Sequence, residues 1–391
     1  MRKIFNVNGD CQPELHYMVD ISERLKKINI MVDAGQYFTI NRARQYGKTT
    51  ILQALSEQLK ENYTVVSLDF QLISQSDFET EQKFAAAFSR ELLDNVESVP
   101  DSVKEELSAF SFACTENITL SVLFKTLMEW CRHSEKKIVL IIDEVDSASN
   151  NQVFLDFLSQ LRGYYLKRRK TKTFWSVILA GVYDLKHIRK KVRPEDEHKT
   201  NSPWNIAADF LVKMSFSAEE IAQMLYDYEC DMQTGMNIKE MADLLFTYTS
   251  GYPFLVSRLC KLIDERIAGN QDFPSQSSAW TKSGFLAAVR MMLSEPNTLF
   301  DSLIHKLEDY PELDHMLRDL LFKGKEIPYV IGIRSIELAL IFGFVKASDN
   351  QIHIANRIFE TLLYNLFLSE PQMQQEEIYT AALKDKEQFS G

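Results

Sequence analysis

Residues Ile138-Val139-Leu140-Ile141-Ile142 form an unbroken apolar run that stops on Asp143-Glu144-Val145-Asp146. No other segment constrains the fold as much. A strand with one wet face alternates apolar and polar residues, whereas a run without alternation must be buried on both faces. Such strands belong to parallel sheets covered by helices on both sides. The carboxylates then stand at the C-terminal tip, where open α/β sheets bind their ligands. Three acids in four residues at that tip point to a cation or an activated water rather than to a solvated strand end.

The surrounding chain supplies partners for this strand. Tyr37–Ile40, Val65–Phe70 and Trp175–Ala180 read as further strands, and Ala208–Met214 as one more that closes the core. Helical patterns fall at about 80–96 and 118–132 and over 151–167. Strands alternating with helices specify an α/β fold, a parallel sheet sandwiched by helices.

The strand Tyr37–Ile40 leads into Asn41-Arg42-Ala43-Arg44-Gln45-Tyr46-Gly47-Lys48-Thr49-Thr50, followed by a helical pattern over Ile51–Leu59 that lacks Gly and Pro. Gly47-Lys48-Thr49 is the closing half of the phosphate-loop pattern G-x-x-x-x-G-K-[ST], but position 42 carries Arg42 instead of the opening glycine. In a strand–loop–helix context the backbone N–H groups of Tyr46, Gly47, Lys48 and Thr49 would face phosphates at a helix N-terminus. Lys48 would reach the β- and γ-phosphates, and the Thr49 hydroxyl would hold Mg²⁺. Asp143, about 95 positions later, would hold Mg²⁺ through its water shell, and Glu144 would polarise the attacking water.

Asn41–Thr50, Ile138–Asp146 and Val177–Asp184 together resemble the prokaryotic AAA-like P-loop ATPases. That family belongs to the branch with a catalytic Glu beside the Walker B Asp (the ASCE branch), close to the signal-transducing STAND and archaeal-type ATPases. Several of its members carry R-P-R or A-P-R-Q where the opening glycine would be. The resemblance therefore implies that Arg42, Arg44, Gln45, Tyr46 and Thr50 belong to the phosphate loop. It covers nearly the whole chain, and it implies ATP and Mg²⁺ as ligands. It also implies that the strand ending near Gly181 lies between the two motif strands, with Asp184 the nearest candidate for a sensor. The implied domains are a P-loop core over 1–216, a helical lid over 217–295 and a winged-helix-like domain over 296–391.

Ser217-Ala218-Glu219-Glu220 is a capping box that opens the lid. Within the lid, Gly251-Tyr252-Pro253 precedes another helix. By resemblance Pro253 would pack near the adenine and Arg258 would act as a lid sensor. A helix start with Pro at its first position accounts for the same residues. For the other side of the adenine, Tyr17 and Met18 in His16–Asp20 are the candidates; a staple ahead of a helix beginning near Ser22 is the alternative.

The last domain reads as one helix whose end, Leu317–Gly324, stops at a glycine, a second over Ser335–Ile341, then two short strands, Gly343–Lys346 and Gln351–Ile354, around Asp349-Asn350. From residue 296 onward it carries 9 Lys/Arg against 15 Asp/Glu, a net of −6. Phosphate neutralisation needs clustered positive charge, so a protein-contact or autoinhibitory role is expected here rather than DNA binding. Positive charge gathers instead at Lys167–Lys172 and Lys186–Arg193, although the whole chain carries −11. That 167–193 region reads as a solvated rim, as a source of an arginine for a neighbour's γ-phosphate, or as a nucleic-acid groove. Trp204, in a polar stretch, reads as a contact residue, either between domains or with a partner.

The five cysteines are scattered and include no C-x-x-C, which argues against a disulfide framework or a zinc site. No run of about 18 apolar residues exists, and the N-terminus lacks a signal-peptide pattern. A cytoplasmic protein without a membrane partner is expected. Three functions remain open from the sequence: an ATPase switch in regulation or defence, a DNA-handling ATPase, and an ATP-stabilised scaffold without turnover. A protein partner or self-association is expected with the first.

Overall fold

The run that ends at Asp143 is an interior strand of a parallel sheet. The computed structural model describes residues 2–96, 99–112, 118–149, 151–182 and 204–369. By contacts the chain forms two units: Ile21–Arg42 with Lys48–Lys213, and Met1–Asp20 with Ala43–Gly47 and Met214–Gly391. They are called the core and the helical unit below.

The core sheet contains β1 (Tyr37–Asn41), β2 (Thr64–Asp69), β3 (Ile138–Asp143) and β4 (Ser176–Gly181), in the order β1-β4-β3-β2. Every pair is parallel, with Asn41 opposite Gly181 and Asp69 opposite Asp143. The strand ending at Gly181 therefore lies between the two motif strands, as expected. Burial follows from position: β4 is buried at all six residues and β3 at every residue before Asp143. Helix α1 (Ser22–Asp33) leads into β1; parallel strands need long crossovers, and helices provide them: α2 (Lys48–Leu59), α3 (Glu81–Asn95), α4 (Asp101–Phe112), α5 (Leu120–His133) and α6 (Gln152–Lys167). Their starts are set locally. The Thr80 and Thr119 side chains accept from Lys83 N–H and Val122 N–H, satisfying donors that a helix N-terminus leaves open.

One strand expectation is corrected. In Ala208–Met214, only Ala208 pairs, through a single parallel bridge to Phe38. Phe210 and Val212 are buried while Asp209 and Leu211 are exposed. The alternation is real, but it reports one buried face and not a continuing ladder.

In the helical unit, α7 (Ala218–Met232) starts at the expected capping box, with Ser217 and Glu220 each bonding the other's backbone N–H. It is followed by α8 (Ile238–Thr249), α9 (Pro253–Leu262), a π-helical turn at Ile263–Ile267 and α10 (Lys282–Ser294). Then come α11 (Thr298–Asp309), α12 (Pro311–Phe322), α13 (Arg334–Phe342), the antiparallel hairpin β5 (Val345–Ser348) and β6 (Gln351–Ile354), and α14 (Arg357–Leu368). Asp349 and Asn350 both have positive φ, the geometry that a two-residue hairpin turn requires. The N-terminal segment is fixed to this unit by a buried aromatic group, Phe5, Tyr17, Tyr228 and Trp280. Beside that group, Arg2 forms a bidentate pair with Asp264 at 2.6 and 2.7 Å. Asp264 also accepts from the Tyr228 hydroxyl at 2.6 Å.

Candidate functional site

β1 ends at Asn41, and the backbone N–H of Arg42 still bonds the Gly181 carbonyl at 3.1 Å. Six residues after Arg42, Lys48 opens α2. The two ends of the loop are tied within the core, because Lys48 Nζ donates to the Arg42 carbonyl at 3.1 Å. Lys48 is buried, and this carbonyl occupies part of the ammonium's donor capacity. Gly47 has φ 78° with open space around a notional Cβ. Glycine is needed there for its backbone conformation and not for room.

The acidic half meets the loop directly. Thr49 Oγ1 donates to Asp143 Oδ2 at 2.9 Å, bringing together residues 94 positions apart. Asp143 Oδ1 accepts from the Glu144 backbone N–H at 2.9 Å. Burial raises the Asp143 carboxyl above the ordinary carboxylate range; the Glu144 N–H, the Thr49 hydroxyl and the Lys48 charge pull it back, and Asp69 adds to the rise. Glu144 is held in the left-handed region at φ 51°. Non-glycine residues in that region cluster at functional sites, where their surroundings impose the conformation.

The third acid has a different use. Asp146 Oδ2 accepts from the Val182 backbone N–H at 2.5 Å. A Cβ on Gly181 would lie 2.9 Å from Asp146 Oδ1. Asp146 therefore caps the exit of β4, and Gly181 is glycine because that carboxylate lies against it. The sequence grouped the three acids without separating this role; the bare Gly181 at the strand tip was the available sign. Asp184 and Lys186–Arg193 lie outside the described residues.

The remaining candidates are distributed as follows. The Arg42 guanidinium donates to the carbonyls of Asn41 at 2.8 Å and Val212 at 3.1 Å and lies 5.4 Å from the Phe210 ring centre. It braces β1 against the 210–212 segment. Tyr17 is buried in the aromatic group described above, and its hydroxyl donates to Asp231 at 2.9 Å; Met18 beside it is half-buried. Pro253 is the first residue of α9. Arg258 pairs with Glu295 at 3.1 Å, which also takes Arg266. Arg44 is exposed, Gln45, Tyr46 and Thr50 are half-buried, and Thr50 lies in the first turn of α2. Trp204 is fully buried, and its indole N–H donates to Thr39 Oγ1 at 2.8 Å. The expectation of an inter-domain or partner contact is corrected here: this bond lies within the core.

Mg²⁺ takes hard oxygen ligands and keeps several waters, so it needs one or two protein oxygens beside phosphates. The Thr49 hydroxyl and the Asp143 carboxylate, already within hydrogen-bond distance, fit that requirement. No group of three or more His, Cys, Asp or Glu suited to a metal occurs among the described residues. The four described cysteines are free. Among the described residues no helix is long and apolar enough to cross a membrane.

A parallel sheet ordered β1-β4-β3-β2, with G-K-T after β1 and Asp-Glu after β3, defines a P-loop nucleotide-binding ATPase fold of the ASCE branch. Residues 16–365 match the AAA-like domain family, and the chain belongs to it. Its fold is similar to the Walker-type ATPase of Pyrococcus abyssi, with a TM-score of 0.59 at 15% identity, covering 92% of this chain and 99% of that one. It is also similar to the Aeropyrum pernix ORC2 protein, solved in ADPNP-ADP complexes, with a TM-score of 0.52 at 12% identity, covering 94% and 99%. A curated relative is an uncharacterised WD repeat-containing protein of Synechocystis, 22% identical over 355 residues. The match covers 86% of this chain but only 28% of that relative's length.

Proposed function

We propose that this protein binds ATP with Mg²⁺ and hydrolyses it slowly, using the nucleotide state to switch the conformation of the helical unit. The observation that carries the reading is the Thr49–Asp143 bond of 2.9 Å, which joins the two halves of the nucleotide motif. Lys48 moves its donors from the Arg42 carbonyl to the β- and γ-phosphates, and the backbone N–H groups at the start of α2 complete the anion site. When bound, Mg²⁺ neutralises charge on the β- and γ-oxygens; Thr49 and Asp143 would hold it. Glu144, fixed by its own backbone beside Asp143, accepts a hydrogen bond from the attacking water and orients it in line. Arg42 acts as a brace, whereas Met18, Pro253 and Arg258 are retained as candidate adenine and lid contacts. The elements from α12 to α14 have the order of a winged-helix module.

In the Synechocystis relative, a region of this kind is one part of a much longer chain. That arrangement supports a regulatory, STAND-like role in which a protein partner or a second copy receives the switch. A nucleic-acid groove at 167–172 is less favoured. Arg168 donates to the Gly35 carbonyl at 2.6 Å and lies 3.9 Å from the Tyr165 ring centre, and Lys172 donates to the Arg132 carbonyl. The test is phosphate release from ATP by wild type, Lys48→Ala and Glu144→Gln. Turnover should fall at least a hundredfold in both variants, about 2.7 kcal/mol of transition-state stabilisation, with Glu144→Gln still binding ATP. Equal rates in all three proteins would refute the ATPase.

A further inference from the structure

The phosphate loop lacks its opening glycine, yet two inner residues take left-handed conformations, Gln45 at φ 55° and Gly47 at φ 78°. Glycine adopts this freely, but a residue with a Cβ pays roughly 1–2 kcal/mol and keeps it only when its surroundings impose it. The contacts of Ala43–Gly47 within the helical unit show what imposes it. The hydroxyl of Tyr252 donates to the Arg44 carbonyl, the atom group immediately before Gln45. Gln45 Nε2 donates to Thr298 Oγ1, in the first turn of α11, at 3.0 Å. The Tyr46 ring meets Tyr252 edge-on at 4.5 Å between centres, and Tyr252 meets Phe359 likewise at 5.4 Å. A Cβ on Gly343, the C-cap of α13, would lie 3.0 Å from the Ala43 Cβ. Burial pushes the Tyr252 phenol well above the ordinary tyrosine range, so it remains a donor at any ordinary pH.

We infer that Tyr252 is a positioning residue of the phosphate loop, taking over the role that an opening glycine has elsewhere. In a trans peptide a carbonyl and the N–H that follows it point in opposite directions. With the Arg44 carbonyl drawn to Tyr252, the N–H of Gln45 is turned the other way. Consecutive N–H groups directed in that manner around left-handed residues make an anion-binding nest. The hydroxyl therefore acts on phosphate through the Arg44–Gln45 peptide without touching it. Thr298 holds the side chain of the residue whose conformation is unfavourable. This inference rests on the nucleotide reading proposed above.

ADP titration by calorimetry, with ATP turnover measured in parallel, tests it on the full chain. The proteins are wild type, Lys48→Ala, Tyr252→Phe and Tyr252→Phe combined with Gln45→Gly. Tyr252→Phe keeps the ring and its packing, and it should weaken ADP about tenfold, or about 1.4 kcal/mol, and raise KM more than it lowers kcat. Adding Gln45→Gly should recover affinity to within about threefold of wild type, because glycine holds the left-handed conformation without a clamp. Unaltered affinity in Tyr252→Phe would overturn the inference, as would a loss that Gln45→Gly leaves unrepaired, since that would indicate a merely structural hydroxyl. If wild type fails to bind ADP, or Lys48→Ala binds as well as wild type, the nucleotide reading falls and the inference with it. If Lys48→Ala loses ADP while Tyr252→Phe keeps it, the inference alone falls.

Discussion

Replacing Arg42 by Ala separates a brace from a phosphate ligand. The guanidinium donates to the carbonyls of Asn41 and Val212 at 2.8 and 3.1 Å and lies against the Phe210 ring at 5.4 Å. Hydrogen bonds from a charged group contribute about 1.5–3 kcal/mol each when well buried. Arg42 is only half-buried, so the lower end of that range applies to the longer-range bond to Val212. The bond to the adjacent Asn41 carbonyl contributes less, because the unfolded chain can also form it. Adding about 0.5 kcal/mol for the ring contact gives a loss of roughly 2 kcal/mol in Arg42→Ala. Urea unfolding should show it as a lower midpoint at unchanged slope. ADP affinity should stay within about threefold of wild type, whereas Lys48→Ala should lose at least tenfold, about 1.4 kcal/mol. If Arg42→Ala keeps its unfolding midpoint but loses ADP tenfold, the arginine contacts phosphate and the reasoning fails.

Three further outcomes follow from the site. Burial raises the Asp143 carboxyl, so the folded state retains that proton to higher pH than the unfolded chain. The resulting contribution is fully present below the unfolded value of about 3.9 and is lost as pH rises through the folded one. Asp143→Asn, assayed in EDTA without nucleotide, should therefore gain stability relative to wild type as pH rises through that window; a difference that shrinks with pH would refute this. Glu144 has φ 51°, so Glu144→Gly should raise the unfolding free energy by up to about 1 kcal/mol while turnover is lost; lower stability would show that the side chain's contacts outweigh the strain. A Cβ on Gly251 would lie 1.9 Å from the Phe216 carbonyl oxygen, at a φ of 72°. Gly251→Ala should therefore cost at least about 3 kcal/mol, and a circular-dichroism melt matching wild type would refute the close approach.

The four strands of the sheet and the residues at their tips were legible because both leave local signatures. Ile138–Ile142 has no polar alternation, and Gly47-Lys48-Thr49 is readable in three residues. The helix Asp101–Phe112 was not legible, because among its residues with described burial only Val103 and Leu107 are deeply buried, too few for a clear helical period. Trp204 reads as an inter-domain or partner contact because its sequence neighbours are polar, while its partner Thr39 is 165 positions away. The same limit hid the roles of Arg42 and Tyr252. Arg42 was read against the glycine it replaces, but its partner carbonyl is 170 positions distant. Pro253 has a helix-start signature and Tyr252 beside it has none, although the Tyr252 hydroxyl reaches a carbonyl 208 positions away. Residue type at one position shows what a side chain can do; which backbone group it meets is decided by topology.

The interleaving of the two units along the chain has a consequence in time. Arg2 pairs with Asp264 across 262 positions, and Gln45 bonds Thr298 across 253. A ribosome adds about 5–20 residues each second, so either contact waits roughly 13 to 50 s for its second half. The core's segments are all synthesised by residue 213, whereas Thr298, the partner of Gln45 within the helical unit, is not. During synthesis Phe5 and Tyr17 stay uncovered until Tyr228 and Trp280 emerge. A nascent chain stalled before residue 298 should therefore carry a finished sheet with a loop that holds nucleotide poorly. Nucleotide competence would then follow the folding of the sheet in time.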